Sequence, residues 1–180
     1  MKYQIIRIFL TSFMLFLSTS TSHADSRYYL ESDPIAFALK GYSLHAGMQT
    51  GQFRFQVGVF GATIPQGSRD NPAFDVSMRG YGIKADYTGE HPDGWFIGME
   101  LGNSTIKYTH QDQGASQNRG AQLIGLRTGY KYEIGSRFFL TPWIAIKRNI
   151  SDVSPIEIGG DRYQESAWLV FPTIHLGMHF

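Results

Sequence analysis

The sequence predicts an all-β chain, an eight-stranded antiparallel up-and-down barrel, and three observations carry that prediction. Apolar residues alternate strictly with polar or small ones over successive short segments, which puts one class on each face of a strand because side chains there repeat with a period of two. Aromatic residues and glycine are abundant, with 13 Phe, 10 Tyr, 3 Trp and 20 Gly; aromatics favour strands, and glycines suit turns and crowded barrel interiors. The links between the segments alternate between short and long, so the turns of one rim differ in kind from the loops of the other.

The barrel is expected to begin after a targeting segment. Lys2 and Arg7 form a basic start, Ile5 to Leu17 is mostly apolar, and Ser22-His23-Ala24 places small residues where a signal peptidase reads them, so cleavage is expected after Ala24. The apolar stretch is interrupted by Arg7, Thr11 and Ser12 and falls short of the roughly 20 residues of a spanning helix. Residues 1–24 are therefore assigned as a signal peptide and residues 25–180 as one barrel domain. The chain has no cysteine, which excludes disulfides, thiol catalysis and thiolate metal sites. Its formal net charge is +1, with 16 Lys and Arg against 15 Asp and Glu, and gives no sign of a nucleic-acid partner.

The alternation is clearest from Gln52 to Phe60, where Phe53, Phe55, Val57 and Val59 oppose Gln52, Arg54, Gln56 and Gly58. Before it, Tyr42, Leu44, Ala46 and Met48 oppose Ser43, His45, Gly47 and Gln49, and Thr50-Gly51 predicts a tight hairpin between the two. Tyr81, Ile83, Ala85 and Tyr87 oppose Gly80, Gly82, Lys84 and Asp86; a turn at Thr88 to Gly94 follows; then Trp95, Ile97, Met99 and Leu101 oppose Phe96, Gly98, Glu100 and Gly102. Ile124, Leu126, Thr128, Tyr130 and Tyr132 oppose Leu123, Gly125, Arg127, Gly129 and Lys131, and beyond Gly135 Phe138, Leu140, Ile144 and Ile146 oppose Thr141, Ala145 and Lys147. The last strand carries Trp168, Val170, Ile174, Leu176, Met178 and Phe180 at alternate positions. Pro142 and Pro172 lack a ladder donor, and local bulges are expected at both. Gly61 to Phe74, Thr109 to Gly120 and Arg148 to Glu165 are expected to be long polar loops.

These are seven strands, and a barrel with both ends on one side needs an eighth. It must precede Tyr42; Tyr28-Tyr29-Leu30 and Ile35 to Leu39 are the candidates, with a short helix or plug as another use of the latter, and the region around Ile156 to Ile158 as another source of the strand.

Alternation alone does not say which face is outside, because a soluble barrel with an apolar cavity and a membrane barrel share it. Glycines at 47, 58, 80, 82, 98, 102, 125, 129 and 177 lie on the polar face; a narrow interior holding long charged side chains needs such small neighbours and an outer surface does not. The polar face is therefore expected inside and the apolar face in lipid. The terminal pattern Ile174, Leu176, Met178, Phe180, ending on an aromatic residue, resembles that of the small outer-membrane barrels of the OmpA and OmpX type. The phrases Glu31-Ser32-Asp33-Pro34, Thr141-Pro142-Trp143 and Phe171-Pro172-Thr173-Ile174-His175 are similar to those of uncharacterised bacterial outer-membrane proteins. The resemblance implies a porin-like transmembrane barrel of a Gram-negative cell envelope. It also implies that the terminal strand is an assembly signal for the outer-membrane insertion machinery, reached through periplasmic chaperones. Outer-membrane lipids and lipopolysaccharide are the other expected partners of a monomer.

The residues that could carry chemistry are the inward ionisable ones. Arg54, Lys84, Arg127, Lys131 and Lys147 against Asp86 and Glu100 are expected to form an interior polar network, since an eight-stranded lumen is just filled by side chains. A channel or proton path is the other use of such a set, and so narrow a barrel makes a poor pore. His45, His175 and His179 share the inward parity, but His175 and His179 lie four residues apart on one strand, about 13 Å, too far to ligate one ion. A lipid A or phospholipid-modifying enzyme would need a nucleophile, base and orienting group together near the outer rim. The chain has no His-x-Ser of the lipid A 3-O-deacylase kind, and Asp75, Ser77 and His110 are the residues that could mimic a palmitoyltransferase set. The remaining alternative is a soluble periplasmic barrel binding an apolar ligand. No cofactor is implied, and the expected role is structural or surface-interacting without catalysis.

Overall fold

The computed structural model describes residues 26–91 and 93–180; the targeting segment at 1–24 lies outside the described residues. The strands are β1 (Arg27–Ser32), β2 (Tyr42–Thr50), β3 (Phe53–Thr63), β4 (Phe74–Tyr87), β5 (Gly94–His110), β6 (Ser116–Ile134), β7 (Phe138–Asn149), β8 (Ile156–Ile158), β9 (Asp161–Tyr163) and β10 (Trp168–His179). Eight of them close an antiparallel barrel in the neighbour order β1-β10-β7-β6-β5-β4-β3-β2, and β8 and β9 form a separate small hairpin. The eighth strand is the Tyr28-Tyr29-Leu30 candidate. The other candidate, Ile35 to Leu39, folds for the most part as a short helix, α1 (Pro34–Ala38), started by Asp33, whose carboxylate accepts a hydrogen bond from the Ile35 N–H at 2.8 Å.

The polar face is inside. Along β3, Arg54 and Gln56 are buried while Val57 is 58 % exposed to the exterior, and the same order holds along β2 and in the parts of β4, β5, β6, β7 and β10 nearer the short turns. Closure makes neighbouring lumen positions compete for space, and the glycines resolve the competition. A Cβ on Gly47 would overlap the Tyr29 ring, one on Gly58 the His45 ring and one on Gly177 the Phe139 ring.

β1 has six residues and covers only part of its neighbours: it pairs with β10 from Tyr29↔His179 to Ser32↔Leu176 and with β2 from Arg27↔Gln49 to Glu31↔His45. Beyond Ser32, α1 packs beside β2, β3 and β10 and occupies the wall where a longer β1 would run. Asp33 also accepts a hydrogen bond from Thr173 of β10 at 2.6 Å, and Leu39 accepts one from the Thr63 N–H of β3 at 2.9 Å. The helix is thereby fixed to β10 on one side and to the end of β3 on the other.

The bulges expected at the prolines do not form. Registry between β7 and β10 is unbroken from Trp168↔Arg148 to Met178↔Phe138 and includes Pro172↔Ile144 and Ile174↔Pro142. Each missing donor is accommodated differently. The β6–β7 ladder has a gap between Gly129↔Trp143 and Tyr132↔Leu140, around Pro142, with the register the same on both sides. Pro172 lies beyond the part of β10 that β1 pairs with.

The expected loop Thr109 to Gly120 is also corrected. β5 runs to His110 and β6 starts at Ser116, joined by a tight turn, so most of that segment is ladder. With 17 and 19 residues, these are the longest strands of the barrel among the described residues. Together with the start of β4 they project as an outer section. There the faces change character. On β4, β5 and β6 the inward positions become Phe74, Val76, Ile106, Tyr108 and Ala121, while the outward ones become Asp75, Ser77, Thr105, Lys107, Asn118 and Gln122. The β8–β9 hairpin packs onto this apolar lining, where Phe74, Val76, Tyr108, Ile156 and Tyr163 form a buried cluster.

Gly47→Val would drive a side chain into Tyr29 and lift β1 from the wall. The variant is expected to yield less folded, heat-modifiable barrel on an unboiled SDS gel than the parent, while Gly67→Val, in open space, should leave the yield unchanged.

Candidate functional site

Two places concentrate chemistry: the charged lumen and the outer section above it. In the lumen, β3, β4 and β6 bring Arg54, Asp86 and Arg127 together because Arg54↔Asp86 are direct partners in the ladder and both face inward. Arg54 donates to Asp86 Oδ2 from Nε at 3.0 Å and from Nη2 at 2.8 Å. Arg127 Nε approaches the other oxygen, Oδ1, at 3.5 Å. One carboxylate thus serves two buried guanidinium groups. Lys147 pairs with Glu100 at 2.5 Å, and at the turn end Lys131 contacts Glu133 at 2.6 Å and Asp93 at 3.0 Å.

The cations also lie over aromatic rings that share the lumen. Phe96 has Arg54 at 4.4 Å and Arg127 at 5.0 Å from its centroid; Trp143 has Arg127 at 4.3 Å, Lys84 at 5.0 Å and Lys147 at 5.5 Å. Ring faces attract cations and present no unsatisfied acceptor of their own, so they suit a lumen with more positive groups than β3 to β7 supply carboxylates. Phe96 and Trp143 could have been found in the sequence, since they share parity with Glu100 and with Ala145.

The histidines divide. His45 Nε2 lies 3.0 Å from Ser43 Oγ, and its ring stacks on His175 at 5.1 Å. His175 Nδ1 lies 3.4 Å from a Glu31 carboxylate oxygen, while His179 pairs with Glu133 at 3.0 Å. Among the described residues no group of three or more His, Cys, Asp or Glu could hold a metal ion. Glu31, buried on β1, is a lumen carboxylate that sequence reasoning missed, and Asp93 and Glu133 at the turn end both serve Lys131.

At the outer rim, Asp75 and Ser77 lie on the outer face of β4, whereas His110 points inward, buried, and contacts Asp161 of β9 at 2.9 Å. Asp75 instead binds Arg69 at 2.8 Å and Gln111 at 3.1 Å, and the Gln111 amide, first, then Arg69 hold its carboxyl below the usual range. The three residues do not assemble one site. The β8–β9 hairpin is held by His110–Asp161, by Gln113 Nε2 donating to Gly159 O at 3.2 Å, by Asn71 Nδ2 donating to Arg162 O at 3.1 Å and by Arg119 donating to Ser154 O.

With this geometry established, comparison with known proteins adds the fold. No protein-family model matches the chain, and no curated protein matches it. Among solved structures, Neisserial surface protein A (NspA) is similar at 11% identity and a TM-score of 0.52, over 86% of this chain and 96% of that one. The N-terminal β-barrel domain of Pseudomonas aeruginosa OprF is similar at 10% identity and a TM-score of 0.48, over 86% and 96%. The likeness to NspA is one of fold, a small closed β-barrel over nearly its whole length.

Two outcomes are expected. Asp86→Ala leaves Arg54 and Arg127 buried without the carboxylate they share and should cost about 3–5 kcal/mol in urea unfolding; Arg54→Met should cost less, because Asp86 keeps Arg127. In the outer section, burial pushes the Glu165 carboxyl up from its ordinary value. The folded state thus binds this proton more tightly than the unfolded chain does, and ionising Glu165 destabilises the section as pH rises between the two values. A carbon-detected NMR titration should place Glu165 above a glutamate in an unstructured peptide.

Proposed function

We propose that the chain is an integral β-barrel of a Gram-negative outer membrane, monomeric, with a structural or surface-interacting role and without catalysis. One observation carries this reading: a belt of exposed apolar side chains runs around a barrel whose lumen is charged. Leu44, Val57, Ile83, Met99, Leu126, Ile146, Val170 and Leu176 all face outward and are exposed. Monomeric soluble proteins rarely expose contiguous apolar patches larger than a few hundred Å², whereas hydrocarbon would satisfy this belt on every side.

Aromatic residues at both margins support the same reading. Tyr28, Phe53, Tyr87, Trp95, Tyr132, Phe138 and Phe180 are exposed at the rim of short turns and chain end, and Tyr42, Tyr81 and Trp168 toward the other rim. Tyr and Trp, whose rings have one apolar and one polar edge, favour the interface between lipid and water. The polar outward positions of the projecting β4–β6 section suit water beyond the second margin, and in this reading the β8–β9 hairpin faces the cell surface. Leu176, Met178 and Phe180 point outward on the closing strand, where insertion machinery would read them before closure. The role at the surface is then carried by the outer section and not by mobile polar loops.

Fractionation tests location, and a single charge tests the face. Arg at mid-bilayer costs about 2–4 kcal/mol on the lipid face of a barrel, so Val57→Arg should reduce the folded, heat-modifiable species in the outer-membrane fraction. The same substitution at Gln122, on the polar outer section, should not. Equal assembly of Val57→Arg and the parent chain would sink the reading.

A further inference from the structure

The outer section holds a half-open cavity of about 310 Å³ bounded by the inward faces of β4, β5 and β6, by Tyr163 and by the segment from Gln164 to Leu169. Its wall is apolar in a patterned way. Val76, Met78, Ile106, Tyr108, Ala121 and Leu123 come from three adjacent strands, at lumen positions that nearer the turns hold Asp86, Glu100 and Arg127. Leu169 shares the inward parity of Thr173 and His175, which are buried, yet is itself 43 % exposed. Its side chain borders the cavity, and a ligand that covered it would withdraw apolar surface from water.

Three side chains that line the cavity carry a buried polar atom without a hydrogen-bond partner among the described residues: the Tyr108 and Ser104 hydroxyls and one carboxyl oxygen of Glu165. Tyr108 and Ser104 are buried at 0 % and 3 % exposure, and among the described residues neither hydroxyl has a hydrogen-bond partner. A buried polar group without a partner is costly, and a ligand with a hydrogen-bonding head would supply one. The charge of the wall limits that head. Asp70 and Glu165 contribute carboxylates, and among the described residues no Lys or Arg lines the cavity. An anionic head would meet two like charges and no counter-charge. The volume lies at the lower end of small-molecule sites, about 300–1,000 Å³, which fits one chain and not a multi-chain lipid.

We propose that this cavity is a binding site for an uncharged single-chain amphiphile, an apolar chain with a hydroxyl-type head that bonds to Tyr108 and Ser104. The site lies in the section whose outer face is polar, so it stands whether or not the apolar belt meets lipid. Nothing in the lumen below competes for such a ligand, because Lys147, Glu100 and the Arg54–Asp86–Arg127 group fill it with charge.

The test uses the full barrel folded in phosphatidylcholine nanodiscs, with phenylnaphthylamine as a neutral fluorescent probe and protein-free nanodiscs as the blank. Saturable probe binding above the blank is expected, displaced by decanol and not by decanoate at slightly alkaline pH. Ala121→Trp and Leu169→Trp fill the cavity and should each weaken probe binding about tenfold or more. Tyr108→Phe should weaken displacement by decanol, and Gln122→Trp, on the outer face, should change nothing; heat-modifiable migration verifies that each variant is folded. Probe binding no greater than to empty nanodiscs, displacement by decanoate equal to that by decanol, or full binding by both folded cavity-filled variants would overturn the proposal. A barrel that failed to fractionate with the outer membrane but still bound the probe would overturn the membrane reading and leave this one intact.

Discussion

A closed sheet of eight strands sends every second side chain into a lumen only wide enough for side chains to meet across it, and that confinement dictates the rest of the molecule. Long charged groups can enter only beside residues that give way. Gly58 yields to His45, Gly47 to Tyr29 and Gly177 to Phe139, each as a contact that a Cβ would close off. The charged groups must then satisfy one another, since little water reaches side chains as buried as Arg54, Asp86 and Arg127. One carboxylate shared between two guanidinium groups is a deficit of acceptors, and the faces of Phe96 and Trp143 supply part of what is missing. Aromatic residues on the inside of such a barrel are therefore components of its electrostatics as well as filler.

The same confinement accounts for the short first strand. A β1 continued past Ser32 would need further inward residues opposite Thr173 and the upper part of β2, where Ser43 and Asp33 already lie buried. Pro34 ends the ladder at that level because it has no donor. A short helix satisfies its own backbone and presents Ile35 and Phe37 outward with Ala36 buried, keeping the wall apolar outside and small inside where pairing has stopped. Pro172 falls on the stretch of β10 that has lost its β1 partner, so its missing donor deprives no strand on that side. The helix and the proline are two parts of one local solution.

Most of the barrel was legible from alternation because each strand's two faces meet different surroundings, and Arg54, Lys84, Asp86, Glu100, Arg127, Lys131 and Lys147 all stand on the lumen side that parity assigned to them. What could not be read follows from where that contrast fails. In Tyr28-Tyr29-Leu30 consecutive residues are all apolar, so parity is undefined, and Glu31, the partner of His175, was lost with it. From Thr109 to Gly120 both faces are largely polar, because one side meets water and the other meets the hairpin's own polar turn; without contrast the segment looked like a loop. Prolines misled for a different reason. A missing donor demands a bulge only if a partner strand needs it at that position, which depends on neighbours the sequence does not reveal.

A further signal was present in the sequence and concerns the change of surroundings along single strands. On β4 the apolar residues occupy even positions from Phe74 to Met78 and odd ones from Tyr81 to Tyr87; on β5 they are odd from Trp95 to Leu101 and even at Ile106 and Tyr108. A strand cannot rotate by half a turn within two residues while its ladder stays in register, and both registers are continuous through Gly80 and Gly102. The inversion therefore records a change in the media and not in the strand: apolar outside below, polar outside above, with the lumen changing in the opposite sense. The two barrel types that alternation alone could not separate are stacked in one molecule, a charged lumen inside an apolar belt and, above it, an apolar lumen inside a polar wall. Glycine stands at both crossings, where the inward position passes from charged to apolar neighbours and the smallest residue conflicts with neither.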